Sequence, residues 1–350
     1  MIDLRSDTVT KPSKELLLKI FNEESLGTLL DSIGDDVFAE DKATTACEAF
    51  VADLLGKESA LFVTSGTMAN QLGVRVNTNE GDEVIVEAES HIFHYETAAP
   101  AVLSRVQLSP VKGENGILTA EMIKSALRPK ADWYPSPALI CLENTHNRAG
   151  GRILPLDGIA AISELAKRHN LKMHLDGARL WNASVASGIS VKEYAKHFDT
   201  VSVCFSKGLG APIGSIFAGS KEAIAKARRI RKMWGGGMRQ SGIIATMAKK
   251  SLEENYQALK NDHENAQKLA AAFSANSCFQ IDLSSVETNI VAVDVSRCEN
   301  REAGVIDYFK KNEVLVSSIK PGMIRLVTHK DFSNVMIQTV CRLIQSYPSI

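Results

Sequence analysis

Long apolar runs are missing from this chain, and nothing in it approaches the length a bilayer-spanning helix needs. An excess of either charge is missing too. The formal net charge is −1 at pH 7, which gives no reason to expect a nucleic-acid or membrane partner. There is no Cys-x-x-Cys pair. Cysteines 47, 141, 204, 278, 298 and 341 are scattered, and Cys141 and Cys204 fall inside apolar strand patterns, where buried reduced thiols are expected. The opening Met1-Ile-Asp-Leu-Arg-Ser-Asp7 has neither a basic nor an apolar leader region, so no signal peptide is expected and the protein reads as cytoplasmic. No internal repeat or low-complexity segment stands out. What remains is a soluble globular composition, 45% apolar and 23% charged, over 350 residues. That length suits a large domain with a smaller satellite.

One stretch organises the rest. Thr200 to Phe205 alternates β-branched and apolar residues like a short buried strand, then breaks at Ser206-Lys207-Gly208. Gly210, Pro212 and Gly214 forbid a regular helix immediately afterwards. A lysine at the end of an apolar strand is an odd place for a solvated charge. Desolvation favours its neutral amine, the nucleophile that forms a Schiff base. Taken alone, Lys207 could equally be a surface lysine in a strand-to-loop turn.

A second stretch decides between the two readings. Leu171 to Arg179 is another strand entering a turn, with His174 and Asp176 on one face. A carboxylate at a strand end, followed by Gly177 and Ala178 that are small enough for a ring to lie close, suits a pyridoxal phosphate site. The acid keeps the pyridine nitrogen protonated, and the protonated ring is an electron sink. The gap from Asp176 to Lys207 accommodates one helix, loop and return strand of a parallel α/β sheet.

Motifs spread along most of the chain carry a resemblance: Asp3-Leu-Arg-Ser-Asp-Thr-Val-Thr10, Gly34-Asp-Asp-Val37, Thr64-Ser-Gly-Thr-Met-Ala-Asn70, Glu143-Asn-Thr-His-Asn147, His174-Leu-Asp-Gly-Ala-Arg179, Ser206-Lys-Gly-Leu-Gly210, Gly235-Gly-Gly-Met-Arg-Gln-Ser-Gly242 and Arg325-Leu-Val-Thr-His329. The chain resembles the low-specificity L-threonine aldolases, pyridoxal 5′-phosphate enzymes of the aspartate-aminotransferase-like fold (fold type I). The resemblance implies an α/β large domain, with a mostly parallel sheet flanked by helices, over residues 14–249. A small α+β domain follows over 250–350, and residues 1–13 return towards the active site.

Residue by residue, the resemblance implies Lys207 as the cofactor lysine and Asp176 as the partner of the ring nitrogen. His91 stacks on the ring, and Ser65, Gly66 and Thr67 hold the phosphate. That last segment also reads as plain helix capping, although backbone N–H groups at a helix start do make an anion site. Arg179, Arg325 and Ser6 are implied to hold the substrate carboxylate. A lone arginine in the strand pattern 324–327 is costly to bury without such an anion. Arg239 is assigned to cofactor-phosphate or interface contacts. His146 and His91 are both candidates for the general base, and no metal ligand is assigned. Many relatives have tyrosine where Phe38 stands, so a contact needing that hydroxyl is in question. The run Arg228, Arg229, Arg231, Lys232 reads as a solvated face beside an acidic partner surface, and Phe38 and Trp234 as loop aromatics covered by a partner in a homodimer or homotetramer.

Helices are expected from about Lys14 and near 44–55, 68–76, 156–169, 220–231, 243–259, 262–275 and 334–346, and further strands near 60–63, 83–86, 139–142, 290–295 and 324–327. The expected reaction is retro-aldol cleavage of L-threonine, L-allo-threonine or a relative such as phenylserine to glycine and an aldehyde. The alternatives are β-elimination or transamination on the same fold, or a non-catalytic binding protein. The last of these predicts loss of Lys207 or of the arginine anchors, and all are present.

Overall fold

Short apolar runs, each closed by a glycine or a polar turn, become the strands of a seven-stranded sheet. In the computed structural model, which describes residues 1–298 and 301–348, these are β1 (Ser59–Val63), β2 (Glu83–Glu87), β3 (Gln107–Val111), β4 (Pro137–Glu143), β5 (Lys172–Gly177), β6 (Thr200–Cys204) and β7 (Ser215–Gly219). Their spatial order is β1-β7-β6-β5-β4-β2-β3. The run β6-β5-β4-β2-β3 is parallel, while β7 lies antiparallel to both β1 and β6. Every residue of β2, β6 and β7 is buried, as strands covered on both faces require.

This topology aims several strand ends at one edge. The four strands β2, β4, β5 and β6 end there in Glu87, Glu143, Gly177 and Cys204. β1, being antiparallel to the reversed β7, ends there as well and opens directly into the helix Gly66–Asn77. Polar groups gathered at the carboxyl ends of such strands form the site in open α/β sheets.

A second core lies apart from the sheet. A three-stranded antiparallel sheet of β8 (Ile290–Asp294), β9 (Ser317–Lys320) and β10 (Met323–Val327), in the order β9-β10-β8, packs with the helices Leu259–Ser274, Arg301–Lys311 and Asn334–Gln345. Leu4 is fully buried in this core. Residues 2–3 pair in parallel with 314–315, and Val327 N donates to Leu4 O at 2.8 Å. The N-terminal strand is thereby fastened to the C-terminal core just before the chain turns towards the sheet edge.

Some expectations change. The helix expected over 243–259 ends at Asn255, and a separate helix begins at Leu259. No glycine or proline marks the break. It falls where Tyr256 turns inward, its ring 5.4 Å edge-on from Trp181 and its hydroxyl donating to Ser184 Oγ at 2.8 Å. The helices Glu23–Ser32, Ala120–Ala126, Leu180–Ser187, Val191–Ala195 and Arg301–Lys311 and the strands β3, β7 and β9 are among the elements with no expectation attached. Cys141 and Cys204 are buried free thiols, as expected, whereas Cys278 and Cys298 lie sulfur against sulfur in the small core. Trp234 packs against its own chain beside Leu61 and Phe217, whereas Phe38 is 70% exposed.

The basic run is corrected at two of its four members, Arg228 and Arg231, while Arg229 and Lys232 are exposed. Arg231 is buried: one amino group donates to Phe62 O at 2.7 Å, and another pairs with the Asp36 carboxylate. Arg228 reaches Glu48 and Asp36 at 3.2 and 3.4 Å. These arginines tie the acidic loop to the sheet within one chain rather than facing an acidic partner. Removing one member of a buried pair strands the other. Arg231→Ala is therefore expected to lower the unfolding free energy by about 3–5 kcal/mol, read from urea denaturation. An unchanged midpoint would mean that the pair adds nothing.

Candidate functional site

The strand ends enclose a cleft of about 200 Å³, whose walls include Lys207, Asp176, Arg179, His91 and the Ser65–Thr67 turn. A larger crevice of about 910 Å³ lies between the two cores, lined by Lys112, Arg148, Asp282 and Lys320 among others. It lacks both the lysine and the strand-end carboxylate Asp176, so the smaller cleft is the chemically competent one.

Asp176 sits at the edge of the sheet, opposite Glu143 on β4 and Ser202 on β6. Burial favours its protonated form. His91 and Lys207, with donation from Ala178 N at 3.1 Å and Asn70 Nδ2 at 2.8 Å, outweigh burial and hold the carboxyl below the usual range. Its neighbour on that face, His174, is pushed down to about 4 by burial and is neutral. His174 bonds Thr200 Oγ1 at 2.9 Å and Asn70 Oδ1 at 3.2 Å, so it orders the floor of the cleft. Gly177 has a different role from the expected one. A Cβ there would lie 2.6 Å from Ser202 O, so glycine is needed for the strands to approach rather than for a ring.

Lys207 follows Cys204 by three residues in the turn that reverses the sheet, and its half-buried side chain lines the cleft. On the wall beneath, Ser65 Oγ caps the helix Gly66–Asn77 by accepting from Met68 N at 3.2 Å. The first N–H groups of that helix have no partner within the helix and face the cleft with its positive end. Gly66 allows close approach to the sheet, since a Cβ would stand 2.6 Å from Cys204 Sγ. An amine, an ionised carboxylate and a helix start on three sides of one cleft match the aldehyde, ring nitrogen and phosphate of pyridoxal 5′-phosphate.

The arginines behave differently from each other. Arg179 is already paired: Nε and Nη2 donate to the two Asp7 oxygens at 2.8 and 2.7 Å, and Asn289 Nδ2 adds a third bond to Asp7 at 3.1 Å. Burial favours protonated Asp7, yet Arg179 above all holds it well below the usual carboxylate range. Arg325 is not among the residues that line the cleft and has no acidic partner among the described residues. It donates to Asn147 Oδ1 at 2.8 Å and to Arg5 O at 2.9 Å, and its Nε has no partner. Burial, then Arg179, disfavours its charge. Arg179 Nη1 also reaches Asn147 Oδ1 at 3.4 Å, so both guanidinium groups converge on one neutral oxygen.

Other expected site residues lie elsewhere. Ser6 caps a short turn, accepting from Thr8 N at 3.2 Å and Thr8 Oγ1 at 2.9 Å, and Thr8 is the residue that lines the cleft. His146 does not reach the cleft. Thr145 and Asn147 do, and the intervening side chain is buried against Glu87 Oε2 at 2.9 Å while its Nδ1 accepts from Ala149 N at 3.3 Å. Arg239 is exposed, pairs with Asp35 at 2.7 Å and is absent from the cleft of its own chain. His91 lines the cleft with Nδ1 2.9 Å from Glu96. Asp176, His91 and Glu96 bring three potential ligand atoms within 4.8 Å of one another. The Asn70 amide donates to both carboxylates, so hydrogen bonds already hold the group together.

The contributions of Asp7, Asn70 and Asn147 were not expected, although each lies inside a recognised motif. Glu96 lay in no motif, and nothing in its surroundings in the sequence distinguishes it.

The beta-eliminating lyase family matches residues 3–297. A probable low-specificity L-threonine aldolase of Arabidopsis thaliana is 42% identical over 346 residues, covering 97% of this chain and 95% of that protein. The threonine aldolase of Leishmania major has the same fold, with a TM-score of 0.83 at 19% identity over 98% of this chain and 100% of that one. So does a serine palmitoyltransferase of S. paucimobilis solved with bound PLP, with a TM-score of 0.73 at 19% identity over 99% and 87%. With identity of this extent over nearly the whole length, the chain belongs to the low-specificity L-threonine aldolase family.

Proposed function

We propose that this chain binds pyridoxal 5′-phosphate and cleaves L-threonine, L-allo-threonine and related L-β-hydroxy-α-amino acids to glycine and an aldehyde. The observation that carries the reading is one cleft holding Lys207, ionised Asp176 and the helix start at Gly66, beside a guanidinium that lacks an acid. Bound there, the cofactor would supply an electron sink for charge that develops at the substrate Cα.

Lys207 would hold the cofactor covalently, Asp176 would keep its ring nitrogen protonated, and the first N–H groups of the helix Gly66–Asn77 would receive its phosphate. Arg325 receives the substrate carboxylate. Its lack of an acidic partner means that an incoming anion gains an attraction no protein group already uses, whereas Arg179 is neutralised by Asp7 and steadies the site. Fixing the carboxylate would fix which bond at Cα is presented for cleavage, and the reading assigns that place to Cα–Cβ. His91 accepts the β-hydroxyl proton as that bond breaks. His146 is not assigned this step, because both of its ring nitrogens bond to protein.

We further propose that the working unit is a homodimer or homotetramer in the cytoplasm. Exposed Phe38 and the Asp35–Arg239 pair lie on loops open to a second copy.

The purified protein, incubated with L-threonine, L-allo-threonine and phenylserine, should yield glycine plus the matching aldehyde. Ammonia and a keto acid would replace this reading with elimination. Borohydride should fix the cofactor to Lys207, and Lys207→Ala should abolish both the label and turnover.

Arg325→Lys keeps the charge but loses the planar fork that fixes direction. Turnover is expected to drop on the order of a hundredfold, with side reactions gaining share. Unchanged kinetics would place the carboxylate elsewhere.

A further inference from the structure

Glu96 is fully buried, comes from no recognised motif and has no part in the chemistry above. Its oxygens are nonetheless crowded with donors. Oε1 accepts from Asn70 Nδ2 at 2.8 Å and lies 2.9 Å from His91 Nδ1, and Oε2 accepts from Gln71 Nε2 at 2.5 Å. The direction of every proton in this group follows from one charge. Ionised Asp176 can only accept, so Asn70 must turn its amide nitrogen towards it. The amide oxygen then accepts from Ser202 Oγ at 2.6 Å, and from His174 at 3.2 Å, which fixes the orientation from the other side. The second N–H of the same amide is left for Glu96. Held by two amide donors, Glu96 is an acceptor, and the one remaining group that can give it a proton is His91 Nδ1.

We propose that Glu96 is a positioning residue that fixes His91 in the tautomer carrying its proton on Nδ1, leaving Nε2 as the open, basic nitrogen facing the cleft. This rests on the retro-aldol reading and deepens it: the carboxylate selects which nitrogen takes the substrate proton, and it stabilises the imidazolium that results. Through Asn70 the same network joins the partner of the cofactor ring to the base above it, so a change in charge at one is felt at the other.

The sign of the pH effect can be worked out. Burial lowers the His91 pKa, but the hydrogen bond to Glu96, followed by the charges of Asp176 on β5 and Glu143 on β4, raises it above the ordinary value. The other groups facing this ring are Tyr95, 5.4 Å away between ring centroids, and Lys207 across the cleft. A base must be neutral to accept a proton, so activity rises with pH through the His91 titration. In Glu96→Gln the largest raising influence is lost. His91 then becomes neutral at lower pH but is a weaker base. The acid limb of kcat/KM should move to lower pH while the kcat plateau falls on the order of tenfold to a hundredfold.

The test has two arms. The first uses wild-type holoenzyme labelled with ¹⁵N-histidine, with the His91 signals assigned by their absence in His91→Gln. Above the titration, Nδ1 should show the shift of a protonated ring nitrogen and Nε2 that of an unprotonated one, and the reverse pattern overturns the proposal. The second measures pH–rate profiles of wild type and E96Q. A plateau that falls while the acid limb stays in place is what general structural damage would produce, and it overturns the proposal, as does an unchanged profile. If E96Q does not fold, the wild-type nitrogen shifts decide alone. Should L-threonine not be cleaved at all, the reaction reading fails, and the nitrogen shifts still decide the role of Glu96.

Discussion

A carboxylate kept ionised at the buried end of a strand is the constraint from which the site is built. Asp176 at the end of β5 is enclosed by β4 and β6, where an unpaired charge would be protonated or would disrupt the sheet. It stays ionised because Asn70 and the Ala178 N–H donate to it, and because His91 and Lys207 bring positive charge. Each of those groups is in turn anchored. Asn70 is held by Ser202 and His174, His91 by Glu96, and Lys207 by the turn that reverses the sheet. The polar floor of the cleft is thus one connected network, in which loss of a member leaves another short of a partner, although Gln71 Oε1 and Thr145 Oγ1 have none.

The same accounting separates two arginines that look alike in the sequence. Arg179 and Arg325 meet at Asn147 Oδ1, but only Arg179 has a carboxylate, supplied by Asp7. The pair between Asp7 and Arg179 is also mechanical. Asp7 follows directly on a segment paired into the small core, and it accepts from Asn289 beside β8, so the ion pair ties the N-terminal segment and the small core to the large sheet at the cleft. Arg325 lies on β10 in that small core. It does not itself line the cleft, but it donates to Asn147, which does, so a guanidinium with no acid partner among the described residues stands behind the cleft wall on the side of the small core.

Local pattern marked Lys207 and Asp176 only as a pair, because each stands where an apolar strand meets a glycine turn, and Lys207 alone read equally well as a surface lysine. The start of the helix at Gly66 was legible for a similar reason, since the Ser-Gly-Thr triplet both caps a helix and exposes N–H groups. The alternating stretch after β4 was harder. Thr145 and Asn147 point into the cleft while His146 points away to Glu87, and direction along an irregular strand end depends on a neighbour 59 positions earlier in the chain. The basic run 228–232 misled because burial of Arg231 is decided by Asp36, almost 200 residues away, rather than by any local periodicity.

By itself the sequence determined which segments form buried parallel strands, where they break, and which lysine and aspartate stand at their ends. Those properties follow from side-chain volume, β-branching and glycine, which act over a few residues. Only the tertiary structure decided which charges cancel. Arg179 is neutralised and Arg325 is not, His146 is sequestered and His91 is not, and Glu96, unremarkable in the chain, closes the network under the base. Such assignments depend on which groups meet across the strand ends at less than about 3 Å, where one partner satisfies a charge and excludes every other. No spacing along the chain encodes that exclusion.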